Sequence, residues 1–264
     1  MGAWLDLLAR DDGPPLWLDD TAYSGRLLAG GRVPWLEPSG LIGWRLKALA
    51  LLKPSLAVLD VIALADAVAS RRPAQHRAAL ADVLATEELA RHAAGALRGL
   101  RASTRQPLAL VVSSPRAWPA RLNTDLGAES VAPSLDDVDA IAVRMASFLR
   151  LFGDIGIDTL LMTEDGGSGL PTADELALYQ PVVNVARHYR WDVGLKTPMV
   201  PEVSPPFDYL IAPAGAAGVE ISDTFWRSGD PAPRVAVGGF RYGRIPDDLP
   251  PERVLARLAD LRHR

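Results

Sequence analysis

The sequence Gly156-Ile157-Asp158-Thr159-Leu160-Leu161-Met162-Thr163-Glu164-Asp165-Gly166-Gly167 predicts a buried strand that ends at a polar edge. Residues 159–163 form an apolar run that can fill a core from both faces, as the strands of a parallel sheet do. Glu164 and Asp165 follow it directly, and a carboxylate buried without a partner would cost several kcal/mol. We therefore expect this strand to end at a site.

An apolar run closed by a polar residue recurs along the chain. Eight strands are predicted, near residues 16–20, 55–60, 108–114, 158–164, 191–197, 208–213, 218–223 and 234–240. Helices are predicted over about residues 3–10, 22–29, 41–52, 74–101 (with breaks near Thr86 and Gly95), 134–152, 171–189 and 251–261. The sixth and seventh strands are separated by residues 213–217 alone, which is too short a segment for a crossover helix.

Eight strands that mostly alternate with helices in 264 residues predict an α/β fold, a (β/α)8 TIM-type barrel with extra N-terminal helices. We expect residues 1–264 to form a single domain. A doubly wound open sheet is the main alternative, but it would normally carry a G-x-G-x-x-G turn after the first strand, and none follows Asp19 and Asp20. Residues 56–69 are compatible either with a strand followed by a helix or with one buried helix, because periodicity does not separate the two.

The composition is that of an ordinary globular protein, with 48% hydrophobic and 23% charged residues. A net charge of −4 gives no broad basic field, so nucleic acid is not an expected partner. No apolar run reaches the length of a membrane span and no secretory signal pattern opens the chain, so we expect a cytoplasmic protein that does not enter membranes. An oligomer is compatible with the sequence.

The absence of cysteine excludes disulfides, thiolate-bound zinc, iron–sulfur clusters and a cysteine nucleophile. The four histidines, at positions 76, 92, 188 and 263, show no metal-ligand spacing. His188 precedes the fifth strand and therefore belongs to the face of a barrel opposite the site. No cofactor is indicated, although a divalent metal held by carboxylates stays open as an alternative.

Three segments carry a resemblance to a known family: Pro107-Leu108-Ala109-Leu110-Val111-Val112-Ser113-Ser114-Pro115, Gly156-Ile157-Asp158-Thr159-Leu160, and Ile245-Pro246-Asp247-Asp248-Leu249-Pro250-Pro251-Glu252-Arg253-Val254. Over about residues 105–262 the chain resembles the uroporphyrinogen decarboxylase and methionine synthase-like barrel superfamily, as a divergent member. The family's R-Q-A-G-R segment and the cysteine ligands of its zinc-dependent methyltransferases are not present. The resemblance implies a barrel architecture and a site at the barrel mouth, with the substrate left open.

In a (β/α)8 barrel the carboxyl ends of the strands meet at one mouth. The residues predicted there are Asp19, Asp60, Ser113, Ser114, Glu164, Asp165, Lys196, Glu220, Asp223 and Arg241, followed in the chain after the third strand by Arg116. Because side chains alternate along a strand, only one of Glu164 and Asp165 can point toward the barrel axis. That carboxylate would be a general acid or base or a metal ligand, and the alternative is that one of the two caps the following helix while the other is solvated.

Lys196 is the most informative single residue, because only three lysines occur in the chain. It could act as a Schiff-base nucleophile or hold an anionic substrate, and the alternative is an ion pair with Glu164 or Glu220. Arg116 and Arg241 suit substrate carboxylates through bidentate contacts, and they suit a surface equally well.

Three hypotheses follow. The first is a small-molecule enzyme of the decarboxylase (lyase) or one-carbon (methyl) transferase type that acts on an anionic substrate, with Glu164, Asp165 and Lys196 as catalytic residues. Asp60, Ser113, Ser114, Arg116, Glu220, Asp223 and Arg241 would bind the substrate. The second is a class I aldolase-like lyase that uses Lys196. The third is a non-catalytic barrel that binds a ligand or a partner protein.

Overall fold

A computed structural model describes residues 2–10, 13–71, 83–119, 133–164, 170–201 and 206–262. The strands are β1 (Leu16–Asp19), β2 (Ala57–Asp60), β3 (Leu108–Ser113), β4 (Thr159–Thr163), β5 (Asp192–Lys196), β6 (Tyr209–Ala212), β7 (Gly218–Ile221) and β8 (Phe240–Arg244). The helices in the described ranges are α1 (Ala3–Leu8), α2 (Thr21–Ala29), α3 (Pro38–Leu52), α4 (Val61–Ser70), α5 (Glu87–Ser103), α6 (Leu135–Arg150), α7 (Ala173–Ala177), α8 (Gln180–His188), α9 (Asp223–Ser228) and α10 (Pro251–Arg262).

The eight strands form one parallel sheet in the order β1-β8-β7-β6-β5-β4-β3-β2. This order confirms the predicted α/β, TIM-like fold, because it is the order of a (β/α)8 barrel opened between β1 and β2. The two edge strands meet at their amino-terminal ends. There the Ser55 amide donates to the carbonyl of Leu16, and the Leu16 amide donates to Ser55 Oγ, each at 2.8 Å. We call this pair of hydrogen bonds the seam clasp.

Side chains alternate between the inside of the curled sheet and the surrounding helices. On β4, Leu161 packs inside with aromatic side chains of β1, β6 and β8, whereas Leu160 and Met162 pack outside with the helices. The amino-terminal end of the barrel is plugged by α1, whose Trp4 contacts the rings of Trp17 and Phe240 at centroid distances of 5.4 and 5.0 Å. The barrel interior is therefore a packed core at that end.

Helix α1 is fixed to the sheet by the buried carboxylate of Asp192, the first residue of β5. Its Oδ1 accepts from the Gly2 amide at 2.7 Å and its Oδ2 from the Leu5 amide at 2.9 Å. Burial raises the pKa of Asp192, and the two amide donors oppose this effect.

The short connection between β6 and β7 is confirmed, and its physical reason is the stagger of the two strands. Gly218, the first residue of β7, pairs with Ile211 near the end of β6. The chain therefore has to return along the sheet by only a short distance. A Cβ atom at position 218 would stand 2.5 Å from the ring of Phe240, so glycine is required for this close packing.

The predicted position of the eighth strand is wrong. Residues 234–239 form loop and turn, and the strand is Phe240–Arg244. Val237 is fully exposed, and Gly238 has a φ of +76° that a strand does not accept. The apolar residues Val235 and Val237 thus belong to a surface turn, and the strand begins where their run ends.

The helix predicted over residues 171–189 is two helices, because the chain turns at Leu178 and Tyr179 and Pro181 lies in the first turn of α8. Residues 56–69 form a strand followed by a helix, with Asp60 as the helix cap. Thr86 caps α5 as predicted, and α5 continues through Gly95 without the predicted break. Residues 72–82 of the predicted 74–101 helix lie outside the described residues. No helix in the described ranges is long and apolar enough to cross a membrane.

Candidate functional site

A cavity of about 90 Å³ lies at the carboxyl ends of β1, β2 and β8. The cavity arises where β1 and β2 separate. The two strands are joined at the seam clasp, and no ladder of hydrogen bonds joins them farther along in the described sheet. We call it the seam cavity. Its lining residues are Trp17, Leu18, Asp19, Asp20, Thr21, Val58, Asp60, Ile62, Val111, Thr163, Tyr242 and Arg244.

A wider depression of about 580 Å³ adjoins the seam cavity at the barrel surface. Asp19, Thr21, Asp60 and Arg244 line both spaces. A molecule larger than the seam cavity could therefore place one end inside it and lie with the remainder in the depression.

An ion pair between Asp19 and Arg244 lies where the two spaces adjoin. The two residues are register partners on β1 and β8, and Arg244 Nε donates to Asp19 Oδ2 at 2.8 Å. The side chain of Arg244 is 63% exposed and that of Asp19 is 26% exposed. The guanidinium thus stands at the rim, where it can meet an incoming anionic group.

The other two carboxylates of the wall have different partners. Asp60 ends β2 and caps α4, its Oδ1 accepting from the amides of Ile62 at 2.9 Å and Ala63 at 3.1 Å. Asp20 is buried, and both of its oxygens accept from Arg45 Nη1, at 3.0 and 3.2 Å. Asp60 therefore faces the cavity from a helix N-terminus, and Asp20 is held by an arginine from α3.

Thr163 contributes a buried hydroxyl to the seam cavity. The residue ends β4 and is 3% exposed, and Oγ1 has no hydrogen-bond partner among the described residues. Its register partners are Ser113 on β3, which is also buried, and Lys196 on β5. A buried hydroxyl without a partner is uncommon in proteins, and this one belongs to a residue that lines the cavity.

Lys196 is the last residue of β5 and lies beside this cavity. Its Nζ is 3.1 Å from Glu220 Oε1 on β7 and 5.8 Å from the ring centre of Tyr242. The side chain of Lys196 is 11% exposed and that of Glu220 26%. The ion pair anticipated as an alternative role for Lys196 is thus present, and Tyr242 connects it to the cavity wall.

Glu164 belongs to a different place, a buried network on the outer side of β4. Its carboxylate accepts from Tyr179 Oη at 2.5 Å and from Arg116 Nη1 at 3.3 Å. Arg116 Nε also donates to Glu175 at 2.9 Å, and Tyr179 lies 3.2 Å from Ser114 Oγ. Burial, followed by the Glu164 carboxylate, raises the pKa of Tyr179. This network joins the segments that follow β3 and β4 to α7 and to Tyr179, the residue before α8.

The remaining predicted residues are dispersed. Arg241 points away from the barrel axis and donates to the carbonyl of Leu261 in α10 at 2.8 Å. Asp223 begins α9 and accepts from Arg227 at 2.7 Å on an exposed surface of the wide depression. Asp165 lies outside the described residues.

Sequence reasoning identified Asp19 and Asp60 but missed Thr163, Tyr242 and Arg244. The two residues of β8 were missed because the predicted strand, residues 234–240, ends at Phe240. A signal was present, since Phe240, Tyr242 and Arg244 alternate with Arg241 and Gly243 as an inward-facing set does. Thr163 could be recognised from the sequence as a strand-end residue, but the functional hypothesis was assigned to the adjacent carboxylates, Glu164 and Asp165.

Among the described residues no group of three or more His, Asp and Glu side chains is arranged to hold a metal ion. No protein-family model and no curated protein matches the chain. The fold and the chemistry of its mouth are therefore the basis for a functional proposal.

Proposed function

We propose that this protein is an enzyme that acts on a small anionic molecule at the barrel mouth, of the lyase (decarboxylase-like) or one-carbon (methyl) transferase type. The observation that carries the proposal is the seam cavity, whose wall combines Asp19, Asp60 and Arg244 at the carboxyl ends of the strands. This is where the sites of TIM-type barrels lie. The resemblance of residues 105–262 to uroporphyrinogen decarboxylase-like barrels supports the reaction types.

The wall supports distinct roles for its residues. Arg244 at the rim would hold the anionic group of the substrate, because a guanidinium suits a carboxylate through two parallel hydrogen bonds. Asp60 and Asp19 would transfer protons to or from the reacting carbon or leaving group, which is the ordinary use of carboxylates in a cavity. Trp17 and Tyr242, both buried, would exclude water from the reacting atoms.

The proposal is tested by incubating the protein with a mixture of small carboxylate metabolites and following substrate loss and product formation by mass spectrometry. Asp60→Asn and Arg244→Gln should each lower the rate by about 100-fold or more, since general acid–base groups contribute at least that factor. Asp139→Asn on α6 and Arg98→Gln on α5 are matched controls on exposed surfaces and should keep the parent rate. A substrate converted equally fast by all four variants would contradict this site.

If the parent protein binds a metabolite and converts none, the enzyme proposal fails. The non-catalytic ligand-binding barrel is then the correct interpretation. Binding is measured in the same mixture by the rise in melting temperature, with product analysis on each compound that raises it.

A second candidate function is a class I aldolase-like lyase, and the observation that favours it is the position of Lys196. This lysine is buried at a strand end, next to Glu220 and the ring of Tyr242. A lysine in such a place can form a Schiff base with a carbonyl substrate. Borohydride treatment with small aldehydes and ketones should fix an adduct on Lys196. Since Lys47 and Lys53 are the only other lysines of the chain, an adduct confined to those two would contradict the aldolase function.

A further inference from the structure

The seam cavity has an acceptor-rich wall. Three carboxylates line it, those of Asp19, Asp20 and Asp60, and Arg244 is the single cationic side chain among the described lining residues. Arg244 stands at the rim with 63% of its side chain exposed, and it pairs there with Asp19. The inner part of the cavity therefore favours a cation or a hydrogen-bond donor over an anion.

The arginine partners of Asp20 and Asp19 lie behind the cavity wall and at its rim. Arg45 reaches Asp20 from α3 behind the wall, and it does not line the cavity. Arg244 reaches Asp19 from the rim, and the amides of α4 reach one oxygen of Asp60. Arg45 thus balances the charge of Asp20 from behind the wall, and the pair of Asp19 and Arg244 lies at the rim.

Thr163 supplies an independent indication that a ligand belongs there. Its side chain lines the cavity, the residue is 3% exposed, and no hydrogen-bond partner for Oγ1 occurs in the described part of the chain. A buried hydroxyl without a hydrogen-bond partner destabilises the fold. A ligand that donates a hydrogen bond to Thr163 Oγ1 would remove this cost. The Thr163 hydroxyl oxygen can accept a hydrogen bond from an ammonium group, because the hydroxyl proton can rotate away from that group.

The aromatic residues of the wall fit the same chemistry. Trp17 and Tyr242 are buried side chains that line the cavity, and aromatic faces attract organic cations. The cavity volume of about 90 Å³ corresponds to on the order of several water molecules, so a group of a few heavy atoms fits inside it. A short aminoalkyl group is of this size.

We propose that the seam cavity binds the ammonium end of a small organic amine, with Asp60 and Asp19 as its charge partners and the Thr163 hydroxyl as an acceptor. The inference deepens the proposed function and rests on it for the site: the substrate would carry a primary amine in addition to its anionic group. The anionic group would then lie in the outer depression, next to Arg244.

The test is a nuclear magnetic resonance titration of the full chain with three probes of similar size: n-propylamine hydrochloride, 1-propanol and sodium propionate. The dissociation constant for n-propylamine should be at least about tenfold lower than those for the alcohol and the carboxylate. The largest shifts should fall on the indole N–H of Trp17 and the amide of Thr163. Equal affinity for all three probes, or tighter binding of propionate, would overturn the inference.

Two substitutions locate the binding. Thr163→Val should weaken n-propylamine about fivefold or more, whereas Thr224→Val, a matched change at an exposed position of α9, should not. Asp60→Asn should weaken it at least about tenfold, with Asp19→Asn as the second carboxylate variant because Asp60 also caps α4. Unchanged affinity in Thr163→Val and both carboxylate variants would place the amine elsewhere and overturn the inference.

The two proposals fail in different ways. Amine binding that depends on Thr163, in a protein that converts no metabolite, would support the amine site and contradict the enzyme. Conversion of a carboxylate that contains no nitrogen, together with no binding of n-propylamine, would support the enzyme and overturn the amine site.

Discussion

The ring of Tyr209 occupies the space in which a side chain at position 194 would stand. A Cβ atom on Gly194 would lie 2.1 Å from Cε2 of Tyr209. The ring cannot withdraw easily, because Tyr209 is 3% exposed, its hydroxyl lies 2.7 Å from Thr159 Oγ1, and it contacts Phe240 at a centroid distance of 5.6 Å. Glycine on β5 is therefore what allows an aromatic side chain from β6 to fill the barrel interior.

Gly194→Ala should lower the free energy of unfolding by about 1–3 kcal/mol, the usual cost of forcing an extra carbon into a packed core. The measurement is urea unfolding followed by circular dichroism. Gly43→Ala in α3 is the matched control, since a Cβ atom there meets nothing within 4 Å. It should leave the protein equally stable or stabilise it by about 0.5–1 kcal/mol, because alanine is the better helix former. If Gly194→Ala and the parent have equal urea midpoints, the barrel interior can rearrange to accept the additional carbon atom.

Tyr179→Phe should also destabilise the protein, for a different reason. The substitution removes the hydroxyl that donates to Glu164, whose side chain is fully buried, and leaves that carboxylate with fewer donors. The expected loss is about 1–3 kcal/mol of unfolding free energy, the cost of an unsatisfied buried group. Tyr189→Phe is the control, because its hydroxyl makes only a 3.5 Å contact with the carbonyl of Arg150, and its effect should be within about 0.5 kcal/mol. If the two variants unfold at the same urea concentration, Tyr179 contributes packing alone.

The strands that could be predicted from the sequence are those that carry a continuous apolar run. Residues 159–163 are buried on both faces, so a continuous apolar run marks them. β8 could not be placed in this way, because its outward residues are Arg241, which is buried by donating to a carbonyl of α10, and Gly243. An apolar segment before it, which includes Val237, is exposed on a turn and drew the strand prediction to the wrong residues.

The site was predictable only in part for a related reason. Asp19 and Asp60 could be found because each closes a strand of the first 60 residues. The ion pair that gives Asp19 its place in the cavity wall joins it to a residue 225 positions away, and the register of β1 against β8 decides that contact. Glu164 shows the converse. It follows the end of a strand, but side chains alternate along that strand, and the Glu164 side chain points outward to Tyr179, just before α8.

Stability should decrease as the pH falls from about 7.5 to 5, in part because of His92 on α5. Burial, followed by the nearby charge of Arg91, lowers the pKa of this histidine below its ordinary value. The unfolded chain, with a histidine pKa of about 6.5, therefore takes up the proton first. The contribution of the neutral imidazole is complete above that value and is lost as the pH falls through it toward the lower pKa of the folded state.

Urea midpoints at pH 7.5 and pH 5 test this for the parent and for His92→Leu. The variant should lose less stability between the two pH values than the parent does. His188→Gln, at the exposed end of α8, is the control and should lose as much as the parent. If the parent and His92→Leu lose equal stability, another group is responsible for the dependence on pH.

Ser55→Ala tests whether the barrel is closed by the seam clasp. The serine oxygen is the acceptor for the Leu16 amide at 2.8 Å, and alanine would leave that partly buried donor without its partner. We expect a loss of about 1–3 kcal/mol in unfolding free energy. Because β1 has no ladder to β2 in the described sheet, the loss should be concentrated there, and the amide of Leu16 should exchange with solvent deuterium at least about tenfold faster.

Ser147→Ala is the matched control for this experiment, since the Ser147 hydroxyl donates to the carbonyl of Val143 in its own helix, on the exposed side of α6. It should change neither stability nor the exchange of Leu16. Faster exchange in Ser55→Ala that is confined to β1 would mean that the clasp holds the edge strand locally, and that the seam cavity depends on the clasp for its shape. Exchange that rises equally across β1, β4 and β8 would instead mean that the sheet opens only as a whole, and that the helices rather than the clasp keep β1 in place.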